Sequence, residues 1–155
     1  MAKIAVNKKV PDFSLPATGG ESFRLADHNG HNVVLYFYPR DNTPGCTLEG
    51  QDFRDYMRRF KTANTRVFGI SRDSLACHEK FKQAQKFSFE LLADADEKAC
   101  RLFDVIREKN MYGKKVIGIE RSTFLIDADG LLRREWRKVK VEGHAAEVLQ
   151  AVKDL

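Results

Sequence analysis

The stretch NVVLYFYPRDNTPGCTLEGQDF, residues 32–53, decides how the rest of the chain is read. Its first seven residues, 32–38, form an unbroken run rich in β-branched and aromatic side chains, stopped by Pro39. A strand buried on both faces has this composition, because neither side of its pleat is left for polar residues. The run is therefore expected to be a central parallel strand. The loop RDNTPG follows, and residues 46–60 then place Leu48, Phe53, Tyr56, Met57 and Phe60 at helical spacing among charges. That spacing predicts an amphipathic helix.

Working outward, residues 66–71 (RVFGIS) read as a second strand, next to the first or nearly so and parallel to it. Asp73 and Ser74 are candidate caps for a helix over 75–86. Such a βαβα unit crosses over right-handed, which makes its strands parallel. A short strand at 89–92 and a helix at 96–103 follow. Residues 121–126 (RSTFLI), the turn DADG at 127–130 and residues 131–136 predict a hairpin. A closing helix over 144–155 carries Val148, Leu149 and Val152 on one face. Upstream, Phe13 and Leu15 face Phe23 and Leu25 across the turn TGG, an added N-terminal hairpin. The layout is that of a thioredoxin-like α/β fold, a central mixed sheet flanked by helices. A length of 155 residues, 43% of them hydrophobic, suits one core, so one domain is expected over 1–155.

Composition excludes several functions. Cys46, Cys77 and Cys100 are an odd set at unrelated spacings, unlike a secreted disulfide framework or a zinc site with paired ligands. At least one is expected to be a free thiol. The four histidines are scattered, so no metal site is expected. Lysine and arginine exceed aspartate and glutamate by 27 to 22. Arg58, Arg59 and Lys61, or Arg133, Arg134, Arg137, Lys138 and Lys140, are interleaved with apolar positions, which describes a solvated basic face and not a nucleic-acid partner. The opening MAKIAVNKKV has no apolar run of signal length, and nothing approaches the roughly 18 apolar residues that span a bilayer. No membrane partner and a cytoplasmic location are expected.

Cys46 falls just after the loop that leaves the central strand, in the first turn of the next helix. Ligands of open α/β sheets bind at the carboxyl ends of strands, and a helix N-terminus offers free N–H groups and a positive dipole end. Both favour a thiolate, the nucleophilic form of the residue. Position alone leaves open the competing reading of a buried, inert cysteine.

The pattern Pro39, Thr43, Cys46 within YPRDNTPGCTLEG resembles the active-site signature of the peroxiredoxins. The wording TPGCTLE is most similar to the bacterioferritin comigratory protein, or peroxiredoxin Q, subfamily. VPDFSLPATGG, VFGISRDS and GIERSTFLIDADG extend the resemblance along nearly the whole chain. It implies a thiol-dependent peroxidase that reduces hydrogen peroxide and organic hydroperoxides in antioxidant defence, with no cofactor. Cys46 would attack the peroxide and become a sulfenic acid. Thr43 Oγ would bond the thiolate and the peroxide, Pro39 would shield the sulfur from water, and Arg121 would stabilise thiolate and leaving oxygen together. That role requires the strand begun by Arg121 to lie beside residues 32–38. Glu49 reads either as a partner of Arg121 or as a solvated helix residue.

Two rival classes remain. A thiol–disulfide oxidoreductase of the same fold needs C-x-x-C, but Thr43 stands where the first cysteine would be. A non-enzymatic scaffold has no reason to keep Pro39, Thr43, Cys46 and Arg121 together. The chain departs from many similar proteins at Gln51, where they carry a second, resolving cysteine; others carry it near Lys82. Cys77 is then the candidate resolving cysteine, with an external thiol or Cys100 as alternatives, and Cys100 in DEKACRLFDV reads better as a packed core residue. The expected reductant is thioredoxin or glutaredoxin with glutathione, and the expected state a monomer rather than a dimer.

Overall fold

Strand β3 (Asn32–Phe37) forms the middle of the sheet, as its composition requires. It sends Val33, Leu35 and Phe37 into one core and Val34 and Tyr36 into the other, all at most 1% exposed. The structure is a computed structural model describing residues 4–155, so the first three residues of the N-terminal stretch lie outside the described residues. Two flanking strands hold β3 in place. β4 (Thr65–Ser71) runs parallel to it and β8 (Ser122–Ile126) antiparallel.

Because both faces of β3 are apolar, alternation alone cannot fix its register; shape must do so. Tyr36 lies opposite Gly69, where an added Cβ would meet the tyrosine ring at 2.7 Å. Only glycine leaves room for the ring, and a one-residue slip would set it against Phe68 or Ile70.

The full order is β2-β1-β5-β4-β3-β8-β9, with β1 (Ser14–Ala17), β2 (Glu21–Arg24), β5 (Glu90–Ala93) and β9 (Leu132–Trp136) completing the sheet. The N-terminal hairpin joins β5 through the single pair Ala17 and Leu92. Helices α1 (Pro44–Thr62) and α4 (His144–Lys153) bring Phe53, Phe60, Val148, Leu149 and Val152 onto one face of the sheet. On the other face Phe13, Phe103, Phe124 and Ile126 gather near α3 (Lys98–Leu102). Burying each such side chain is worth about 1.5–3 kcal/mol, so these two clusters, and not helix propensity, hold the layers together. α2 (Leu75–Gln85) follows β4 as expected, capped by Ser74. No helix among the described residues is long and apolar enough to cross a membrane.

One element was not anticipated. β6 (Ile106–Met111) and β7 (Lys114–Ile119) form a two-stranded sheet of their own. Tyr112 and Gly113 make its turn, both left-handed at φ 54° and 78°, which is the twist a tight hairpin favours. The usual Asn or Asp is absent from the turn, and the strands are largely exposed, with polar and apolar residues on both faces, so they carry no buried-face pattern.

Candidate functional site

The site is built where α1 begins. Thr43 is the N-cap, with an extended backbone, and Pro44 opens the helix, where its lack of an N–H costs nothing. The first intrahelical bond runs from the Thr47 N–H to the Thr43 carbonyl at 2.9 Å. The N–H groups of Gly45 and Cys46 therefore lie ahead of the ladder, at the positive end of the helix dipole. Cys46 is 1% exposed and packs into the cluster of Tyr36, Tyr38 and Phe53.

Arg121 reaches this sulfur because of strand direction. A strand parallel to β3 would begin at the opposite edge of the sheet; the expected adjacency holds, but β8 is antiparallel and pairs Ser122 with Phe37. Arg121 thus lies at the carboxyl end of β3. Its Nη2 donates to Cys46 Sγ at 3.4 Å and its Nη1 to Glu49 Oε1 at 2.6 Å. Gly45 makes the approach possible, since a Cβ there would stand 3.2 Å from Nη2.

Glu49, left open by the sequence, is the partner of Arg121 and is only 1% exposed. Burial pushes its carboxyl up to about 7 against the pull of Arg121. Its Oε2 is buried with no hydrogen-bond partner among the described residues, which is where the desolvation cost resides. Burial alone would lower Arg121, but Glu49 and Cys46 together raise it. The guanidinium stays charged. Attraction wins at Arg121, whose side chain is 16% exposed, and desolvation at Glu49, whose side chain is 1% exposed.

Thr43 departs from the expectation. Its hydroxyl donates to the Arg40 carbonyl at 2.9 Å and not to the sulfur. With its one proton engaged there, Oγ1 is left to act only as an acceptor. Pro39 is half-buried in the same loop.

Cys77 starts α2 and donates its N–H to Ser74 Oγ at 3.2 Å. Its sulfur shares a cluster with carboxylate oxygens of Asp41 and Asp73, all within 4.8 Å of one another. Burial, then Asp41 and Asp73, push its thiol up to about 11. These carboxylates are already engaged. Asp41 accepts from Tyr38 Oη at 2.6 Å and meets His78 Nδ1 at 2.7 Å, while Asp73 accepts from Ser71 Oγ at 2.5 Å and the Asp41 N–H at 2.9 Å. His78 Nε2 donates to the Leu92 carbonyl at 2.9 Å. This latch ties the Cys46 loop to α2 and β5. Sequence reading passed over Asp41 and His78, because a lone aspartate in a loop and a lone histidine in a polar helix carry no signal. Cys100 is fully buried, and burial with Asp94 pushes its thiol far up, in keeping with a packed core residue.

Residues 6–135 match the model of the AhpC/TSA family. The Peroxiredoxin Bcp of Xanthomonas campestris pv. campestris is 53% identical over 92% of this chain and 89% of its own length. The bacterioferritin comigratory protein of X. campestris, solved as trapped intermediate and ligand complexes bearing on its alkyl peroxide reduction activity, superposes with a TM-score of 0.88 at 51% identity, covering 92% of this chain and 90% of that one. A cysteine-to-serine mutant of Xylella fastidiosa PrxQ gives a TM-score of 0.93 at 42% identity over 99% and 98%.

Proposed function

The chain belongs to the AhpC/TSA family as a peroxiredoxin, a thiol-dependent peroxidase, and from that premise we propose that Cys46 is the sulfur that attacks the peroxide. The observation that carries the assignment is Arg121 Nη2 at 3.4 Å from Cys46 Sγ, beside the unpaired N–H groups of the first helical turn. A guanidinium and a helix N-terminus on one sulfur favour its anion.

The thiolate attacks the terminal oxygen of ROOH, forming the S–O bond as the O–O bond breaks. Cys46 becomes a sulfenic acid, and RO⁻ leaves and takes a proton from solvent to depart as ROH. Negative charge moves from sulfur to the leaving oxygen. Arg121 and the Cys46 N–H face both positions, so they stabilise the charge throughout its transfer. Glu49 fixes the guanidinium by holding Nη1, which leaves Nη2 for the reaction. Thr43 Oγ1 accepts the peroxide O–H in this scheme, and Pro39 narrows the approach of water. Hydrogen peroxide and organic hydroperoxides are the substrates.

The sulfenic acid is returned to thiol by an external thiol. The environment of Cys77 weighs against its expected resolving role: a thiol pushed up to about 11 is scarcely ionised near neutrality. Cys100 is sealed in the core, Gln51 is bonded to Gln85, and Lys82 is ion-paired with Glu90. Thioredoxin, or glutaredoxin with glutathione, supplies the electrons to a cytoplasmic monomer. In the test, Cys46→Ser abolishes peroxide consumption with the fold intact, since serine is well tolerated in a first helical turn. Substantial residual turnover would refute the assignment.

A further inference from the structure

The hairpin of β6 and β7 is the one strand pair outside the main sheet among the described residues, and the reaction above makes no use of it. Its register sets Arg107, Lys109 and Met111 opposite Gly118, Val116 and Lys114, so these six share one face. Tyr112 at the tip is 100% exposed, with Met111 at 52% and Val116 at 43% beside it. On the opposite face Glu108 meets Lys115 at 3.5 Å. Arg107 is drawn back to Asp104 and Glu120. Lys109 and Lys114 have no ion pair among the described residues. The hairpin therefore presents two free ammonium groups around an apolar pair, with an aromatic ring at the end.

Its base stands at the active-site edge. Arg72, which follows β4 at that edge, donates to the Ile117 carbonyl at 3.1 Å. β7 then passes through Glu120 directly into Arg121, whose guanidinium holds the Cys46 sulfur. A partner seated on the hairpin is thus brought to the edge where Cys46 reacts.

We propose that this face docks the reductant, an acidic dithiol protein whose carboxylates meet Lys109 and Lys114 and whose apolar rim covers Met111, Tyr112 and Val116. The proposal rests on the reading of Cys46 as the peroxidatic residue recycled from outside. The first partner thiol attacks the Cys46 sulfenic acid, forming a mixed disulfide and releasing water. The second attacks the partner's own sulfur, which returns Cys46 as a thiolate, leaves the partner as its disulfide and releases a proton. A protein fits better than a bilayer. The exposed apolar side chains divide between both faces of the hairpin, with Ile117 on the face opposite Met111 and Val116, and the chemistry itself demands a second thiol substrate.

The test uses an acidic bacterial thioredoxin with its reductase and NADPH, and dithiothreitol as the neutral small-molecule comparison. In Lys109→Glu/Lys114→Glu, kcat/KM for thioredoxin falls about tenfold or more. Single-turnover oxidation by hydrogen peroxide and dithiothreitol-supported turnover stay at the wild-type rate. Added salt slows the wild type with thioredoxin by screening the attraction, and speeds the variant by screening the repulsion its glutamates introduce. Tyr112→Ala, which alters no charge, raises KM for thioredoxin alone. An unchanged thioredoxin rate in both variants overturns the proposal, as does a salt-independent wild type. So does binding to anionic phospholipid vesicles that Lys109→Glu/Lys114→Glu abolishes while thioredoxin turnover is untouched. If peroxide fails to oxidise even the wild-type thiol, the reading of Cys46 fails and not the docking surface.

Discussion

At the scale of single residues, the proposed chemistry depends on one guanidinium shared between a sulfur and a buried carboxylate. Removing it strands both. In Arg121→Ala the rate constant for oxidation by peroxide falls on the order of 10²–10³-fold, as for loss of one preorganised donor to a developing charge. Alkylation of Cys46 by iodoacetamide at pH 7 slows in parallel, because the anion loses its nearest positive partner. An unchanged alkylation rate would place Arg121 away from the sulfur in solution. Sequence made Cys46, Thr43, Pro39 and Arg121 visible through their spacing. It could not decide Glu49, whose role depends on which way an antiparallel strand carries Arg121, nor foresee that Thr43 Oγ1 would bond Arg40.

At the scale of elements, the sequence was most legible where burial is heaviest. β3, β4, α1, α2, β8, β9 and α4 follow from apolar runs, caps and turns, and their ends shifted by no more than two residues. The exposed hairpin of β6 and β7 was illegible because nothing buries a face of it. The Asp41 and His78 latch was illegible because it joins residues 37 apart in sequence through bonds that only the fold creates. That latch weighs against a resolving role for Cys77, since it holds the start of α2 against the Cys46 loop. Gly45 and Gly50, which bracket the first turns of α1, do not loosen it. Gly45 admits Arg121, and a Cβ on Gly50 would collide with the Phe87 ring. Unwinding α1 to deliver a disulfide would therefore break packed contacts. Cys77→Ser accordingly turns over with thioredoxin within about twofold of the wild type, since serine keeps the N–H that Ser74 Oγ caps at the start of α2. Non-reducing electrophoresis with peptide mapping finds no Cys46–Cys77 disulfide. Loss of turnover together with loss of that disulfide would restore Cys77 as the resolving residue.

At the scale of the whole molecule, two buried groups bend stability with pH in opposite senses. Burial holds His144 down at about 4, against 6.5 when unfolded, so between those values the unfolded chain binds the extra proton. Stability is therefore present above 6.5 and lost as pH falls toward 4, by up to about 3 kcal/mol. Glu49 acts the other way. Its carboxyl rises from 4.5 to about 7, so the folded state holds the extra proton, and stability present below 4.5 is lost as pH rises through 7, again by up to about 3 kcal/mol. Urea denaturation from pH 4 to 8 should show His144→Asn removing the acid loss and Glu49→Gln the loss toward neutral pH. A wild-type difference from Glu49→Gln that does not change with pH would mean that the carboxyl is not buried as described. The site thus spends stability at neutral pH to keep Arg121 in place. The most direct test of the account is to treat the reduced protein with one equivalent of hydrogen peroxide in the presence of dimedone, which captures sulfenic acids, and to map the adduct by peptide mass spectrometry. The adduct should lie on the peptide containing Cys46, at a level that Arg121→Ala sharply reduces; an adduct on Cys77 or Cys100 instead, or none on any cysteine while peroxide is consumed, would contradict it.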